Sequence, residues 1–156
     1  MKRTYWAWFL FAAYCTVMLW LLFGQRIGTT GNVDYWAQLQ SQLVYRPFET
    51  IRRFLWVLRY SQDAAQLRHA IVNLGGNVIM FVPLGFLVPC IWEKTQRFGR
   101  HLLTMTLVIL AVELLQLFTL LGSCDVDDLL LNLAGTSLGF FIWKLAACLG
   151  KNRDKE

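Results

Sequence analysis

The sequence predicts an all-α integral membrane protein: four transmembrane helices, plus an amphipathic interfacial helix in the first extracytoplasmic connection. Three observations carry this. The 156 residues are 56% hydrophobic and only 16% charged, whereas soluble domains are about one quarter charged. The apolar residues lie in four blocks, each near the roughly 20 residues an apolar helix needs to cross the hydrocarbon core. The basic residues, which give a formal charge of +5, sit at the ends of those blocks. That placement is the footprint of anchoring and topology and not of a nucleic-acid groove. Mean hydropathy is +0.44, and the length is that of one domain.

Residues 1–23 form the first predicted span. Lys2 and Arg3 precede an apolar run from Tyr5 to Phe23 that is longer than a usual signal-peptide core and is followed by no A-x-A site, so it reads as a retained helix. Tyr5, Trp6 and Trp8 suit its inner interface. Residues 24–72 are a long extracytoplasmic connection. Gln25–Val33 is rich in Gly and Thr and predicts irregular structure. From Pro47, the segment PFETIRRFLWVLRY places Phe48, Ile51, Leu55 and Leu58 at helical spacing, with Arg52, Arg53 and Arg59 largely off that stripe. Pro suits a first helical turn. Such a helix either lies in the interface, drawn to anionic head groups, or packs on the bundle with its arginines solvated.

Residues 73–150 hold three more spans: about Leu74–Trp92, Leu102–Leu121 and Leu129–Leu149. The second contains Pro83, which predicts a kink because it frees the carbonyl of Ile79. The turn Glu93–His101 is basic, Gly122–Asp128 is acidic, and 151–156 is a polar tail. Lys and Arg in short segments mark the cytoplasmic side. The N-terminus, the Glu93–His101 turn and the C-terminal tail are therefore expected inside the cell membrane, and the acidic turn outside. Cys15, Cys90, Cys124 and Cys148 form no C-x-x-C pair, and three lie in apolar blocks, so neither disulfide nor metal use is predicted. His69 and His101 have no ligand-like spacing and are expected at the two interfaces.

The chain is organised around seven polar residues that lipid should exclude: Asn73, Asn77, Glu113, Gln116, Asp125, Asp128 and Asn132. With no water in hydrocarbon they must meet one another inside the bundle. Asn73, Gly76 and Asn77 share a face at i, i+3, i+4, as do Glu113 with Gln116 and, if the fourth span starts near Asp125, Asp125 with Asp128 and Asn132, which turns Asp127 about 100° away from Asp128. Counted back from Leu121 at about 1.5 Å per residue, Glu113 lies roughly 12 Å below the outer edge. A charge there costs about 2.5–3.5 kcal/mol on insertion scales, so Glu113 is either protonated or paired across helices. Asp125 is open to a second reading, as the N-cap of the fourth span. Gly135 and Gly139 form a small-x-x-x-small pair that permits close helix packing.

The pattern Asn-x3-Asn-x5-Pro-Leu-Gly, Glu-x2-Gln, then Asp-x-Asp-Asp-x3-Asn-x2-Gly resembles the VanZ-like family of membrane proteins over about Asn73–Phe140. The positions matched are Asn77, Pro83, Gly85, Glu113, Gln116, Asp125, Asp128, Asn132 and Gly135. The family usually carries an Arg just before the Asp turn; here the stretch is TLLGSCDVDD. The family is named for a protein associated with low-level resistance to teicoplanin. The resemblance therefore implies a bacterial membrane protein of the cell envelope, bearing on glycopeptide susceptibility, and implies no particular reaction.

Three functions remain open at this stage. A non-enzymatic envelope protein would use the polar cluster to bind a lipid head group, an envelope precursor or a membrane partner, a second copy of the chain included. An intramembrane enzyme would hold Mg²⁺ on Glu113, Asp125 and Asp128 to act on a lipid-linked phosphate. A transporter or proton relay on Glu113 would need an oligomer. The first is preferred, with no catalytic residue, cofactor or metal, because no nucleophile–base pair is present. No nucleic-acid partner is expected.

Overall fold

The computed structural model describes residues 2–24 and 34–153. The chain runs α1 (Lys2–Leu19), a π-helical turn (Trp20–Gly24), α2 (Tyr35–Ser41), β1 (Leu43–Val44), α3 (Glu49–Tyr60), α4 (Ala64–Ile91), a 3₁₀ turn (Glu93–Gln96), α5 (Phe98–Phe118), β2 (Cys124–Asp125) and α6 (Val126–Arg153). Among the described residues, four segments are long and apolar enough to cross a membrane: Tyr5–Gly24, Ala64–Ile91, Phe98–Phe118 and Val126–Gly150. The expected four-span, all-helical class is the one observed.

The boundaries differ from those expected, and capping explains why. The carboxylate of Asp63 accepts from the Ala65 amide at 2.8 Å and starts α4 ten residues before the predicted span. At about 1.5 Å per residue its 28 residues exceed the hydrocarbon thickness by roughly 12 Å. The helix continues through Pro83 and Pro89 without interruption. α5 ends at Phe118, three residues short of the predicted limit. Leu120 takes a left-handed φ of 56°, and the Leu121 and Leu120 amides return to the carbonyls of Gln116 and Leu117 at 3.0 and 3.1 Å, a Schellman ending. The Gln25–Val33 stretch, expected to be irregular, lies outside the described residues.

α4 and α6 share the most extensive interface. It is close because a Cβ at Gly135 or Gly139 would collide with the carbonyl oxygen of Val78 or Val82, and one at Gly85 with that of Thr136. α5 lays the stripe His101, Met105, Ile109, Glu113 and Leu117 inward. His101, in the first turn of α5 at the expected inner end, is turned into the bundle and not toward water. It is fully buried, stacks 4.8 Å from Phe140, and sets Nε2 3.3 Å from the Thr136 carbonyl. α1 is the most loosely held span, with 6% of its apolar window buried against 28–33% for the others. Trp8 and Phe11 meet Trp92 edge to face, with ring centroids 5.1 and 5.2 Å apart, and the Tyr14 hydroxyl donates to the Met80 carbonyl.

The 24–72 connection is more ordered than its composition suggested. α2 is capped by Asp34, and its Tyr35 hydroxyl donates to the Phe118 carbonyl at 3.0 Å. β1 pairs in parallel with β2, Leu43 opposite Cys124 and Val44 opposite Asp125. Pro47 lies outside α3, which starts after Phe48 in a left-handed conformation (φ 64°). α3 docks on α4 through Phe54, whose ring lies 5.5 Å from His69, and on the acidic turn through the buried Thr50; of the expected stripe Ile51 is half-buried, while Phe48, Leu55 and Leu58 do not bind the bundle. Those three residues are exposed, on the side next to Arg52 and Arg59. Both sequence readings of this helix thus describe it in part: one face is packed on the bundle, and an apolar face with flanking arginines is left outside.

Candidate functional site

One end of the bundle encloses a cavity of about 640 Å³. α1 and its π turn give Tyr14, Leu21 and Leu22; α4 gives Asn73, Gly76, Asn77, Met80 and Pro83 among others; α5 gives Val112, Glu113 and Gln116; the α5–α6 turn gives Ser123; and α6 gives Asp128 and Asn132. Six of the seven polar residues singled out in the sequence line this one space. The seventh, Asp125, does not.

Local geometry sets each position. Asn73, Gly76, Asn77 and Met80 follow one another at i, i+3, i+4, i+7 on one face of α4. The Asn73 amide also meets its own helix, 3.3 Å from the His69 carbonyl. Gly76 opens the wall, because a Cβ there would meet nothing closer than Val72 Cγ1 at 3.9 Å. Glu113 continues the inward stripe of α5 and is 4% exposed. The early end of α5 places it five residues, about 8 Å, from the helix terminus, shallower than the sequence count implied. Gln116 donates to the Leu22 carbonyl at 3.3 Å, tying the α1 end to the cavity. Asn77 donates across the helix pair to Asp128 Oδ1. Asn132, one turn further along α6, is 4% exposed, and its Oδ1 is buried with no hydrogen-bond partner.

The acidic turn divides its residues by task. Asp125 accepts the Asp127 amide on Oδ1 at 2.8 Å, capping α6, and the Thr50 hydroxyl on Oδ2 at 2.6 Å. Asp127, which helical spacing turned away from the face of Asp128 and assigned no task, is fully buried. Its two oxygens accept the amides of Phe48 at 2.5 Å and Ile51 at 3.0 Å, capping α3 from another helix. Only the i, i+2, i+3 crowding of acids hinted at this; the α3 amides that Asp127 serves are more than 75 residues away in sequence. Cys124, between these groups, has its thiol pushed above the usual range by burial, then by the Glu113 and Asp125 carboxylates.

Tyr14, Met80, Val112 and Ser123 were not singled out in the sequence, because apolar or small lining residues carry no pattern distinct from packing. The trio Glu113, Asp125 and Asp128 does not form a metal site: both Asp125 oxygens are engaged elsewhere, and no group of three His, Cys, Asp or Glu side chains among the described residues could hold an ion. What the cavity offers is hydrogen bonding, four side-chain amides and two carboxyl groups set against a largely apolar wall.

No curated protein and no solved structure matches the chain. The VanZ/LLP1 family model matches residues 11–147, which takes in every cavity-lining residue, the second and third membrane-spanning helices whole and most of the first and fourth. The chain belongs to the VanZ/LLP1 family.

Proposed function

We propose that this protein acts in the cell envelope by holding a hydrogen-bonding head group, of a membrane lipid or a lipid-borne envelope precursor, in the cavity between α1, α4, α5 and α6, and so alters glycopeptide susceptibility. The observation that carries the reading is Asn132. A buried amide oxygen without a donor costs about 1–3 kcal/mol, and such a group persists where a ligand completes it. A cavity of this volume is within the range that ligands occupy. In this reading the cavity faces outward, since the positive-inside argument sets the termini in the cytoplasm.

Gly76→Leu is the discriminating substitution. It projects into open space, raises helix propensity by about 1 kcal/mol, and narrows the cavity without removing any hydrogen bond. A glycopeptide-sensitive Gram-positive host would express wild type, Gly76→Leu, Glu113→Gln or Asp128→Asn at matched membrane levels. Protection against teicoplanin by wild type, lost in all three variants, is expected. Protection retained by Gly76→Leu would remove the cavity from the mechanism. No protection from wild type would refute the glycopeptide role.

A further inference from the structure

Resting on the head-group reading above, we infer that the ligand is a single amphiphile, whose head donates a hydrogen bond to Asn132 and whose hydrocarbon chain lies in the groove between α1, α4 and α6. A second hollow of about 440 Å³ is lined by Leu10, Tyr14, Val82, Pro83, Phe86, Leu87 and Ile142. It shares two residues with the polar cavity, Tyr14 and Pro83, so the two spaces meet at one edge. Every other lining side chain is aliphatic or aromatic. Leu10 and Ile142 are about half exposed, so the groove opens sideways from the helices, where a membrane would supply hydrocarbon.

The arrangement at the shared edge favours one molecule over two. The Tyr14 hydroxyl is already committed to the Met80 carbonyl, which leaves its ring to face the passage. Pro83 presents a ring with no N–H. Neither offers a polar group to stop a chain from crossing. On the polar side, the unpartnered atom of Asn132 is an acceptor, so the head must present a hydroxyl or an N–H. Head and chain in one molecule place each part against matching surface, polar with polar and apolar with apolar.

Three phospholipids with identical acyl chains test this in nanodiscs of the full chain, each lipid carrying a photoreactive diazirine at mid-chain. Phosphatidylglycerol offers hydroxyl donors, phosphatidylethanolamine offers N–H donors, and phosphatidylcholine offers none in its head. Labelling of Phe86 and Ile142 is expected to exceed that from phosphatidylcholine by about two- to tenfold, the ratio one hydrogen bond sustains. Asn132→Leu should return it to the phosphatidylcholine level. Enrichment by phosphatidylglycerol alone assigns a hydroxyl, and by phosphatidylethanolamine alone an N–H. Equal labelling by all three, the behaviour of bulk annular lipid, overturns the inference. Should Asn132→Leu not accumulate, Ile142→Trp at the exposed groove wall is expected to lower the donor-lipid labelling of Phe86 to the same level. Head-labelled lipids separate the two ways of failing. Cavity labelling at Asn73 without head-dependent chain labelling leaves the head-group reading standing and removes the chain. No cavity labelling removes the head-group reading itself.

Discussion

Asp127→Ala should release α3 from the bundle while leaving the four membrane-spanning helices assembled. Its carboxylate accepts two backbone amides at the start of α3, Phe48 at 2.5 Å and Ile51 at 3.0 Å. Phe48 itself makes no side-chain cap, so Asp127 is the cap in all but sequence position. Each stranded donor costs about 1–3 kcal/mol. The half-exposed Phe48 residue lets water reach its amide and sits at the low end. The sum is about 3 kcal/mol, more than the roughly 2 kcal/mol of the most damaging single-cap deletions because two amides are stranded, and enough to lower local protection by roughly two orders of magnitude. Asp127→Asn keeps one acceptor oxygen and turns its NH₂ toward the other amide, so about half the loss is expected. Hydrogen–deuterium exchange measures this directly on the amides of Ile51–Phe54, with α4 and α6 as internal references. If exchange across α3 is unchanged in Asp127→Ala, or if the membrane-spanning helices open with it, the capping argument is wrong.

Three further outcomes follow from the same geometry. Gly139→Leu sets a side chain against the Val82 carbonyl and within 2.8 Å of the Phe86 amide; backbone cannot yield as a side chain can, so a loss of at least about 3 kcal/mol is expected, and a denaturation midpoint equal to wild type would contradict it. Leu120→Gly relieves the left-handed φ of 56° and should stabilise by about 1 kcal/mol, read from the same midpoint; an unchanged or lower value would contradict it. Cys124 in a Cys15→Ala, Cys90→Ala, Cys148→Ala background should react with a maleimide only at a pH above that of a free thiol, because burial and then Glu113 and Asp125 disfavour the thiolate. Glu113→Gln should move that profile to lower pH if Glu113 is ionised, and an unmoved profile would mean that it carries no charge.

The fold was legible because its signal is compositional: four apolar blocks, counted against the bilayer thickness, sufficed. Boundaries were less so. The Asp63 cap and the Schellman ending at Leu120 shift helix ends by several residues, and each depends on a hydrogen bond that periodicity does not express. The local part of the site was also legible, since Asn73 with Asn77 and Asp128 with Asn132 share faces by spacing alone. What spacing got wrong was Asp125, grouped with Asp128 and Asn132 though it does not line the cavity, and what it could not assign was the task of Asp127. All three are acids in one turn, and their tasks differ only through Thr50, Phe48 and Ile51, which the chain returns to the turn from more than 70 positions earlier. The β1–β2 pair, two residues on each side, is likewise invisible until the connection folds back.

That division bears on how a polar cavity survives inside apolar helices. An acid near the membrane core is tolerated only when it is partnered or serves a purpose, and the chain supplies both conditions within five residues. Asp125 and Asp127 spend all four carboxylate oxygens on α6 and α3, which fixes the α6 end and clips the 24–72 connection over it. With α6 so oriented, Asp128 and Asn132 at i, i+4 turn toward α4 and α5, while Gly135 and Gly139 continue along α6 to the close contact with Val78 and Val82. Close packing at the glycines and the gap at Gly76 are thus two consequences of one helix orientation: the same α4–α6 pair is sealed in its middle and parted at its end. A substitution that loosens α3, such as Asp127→Ala, should for that reason impair the cavity's function although Asp127 does not line it, and should do so less severely than Asp128→Asn, which acts inside the cavity. Equal or greater loss in Asp127→Ala, at matched membrane levels, would mean that α3 itself makes the functional contact.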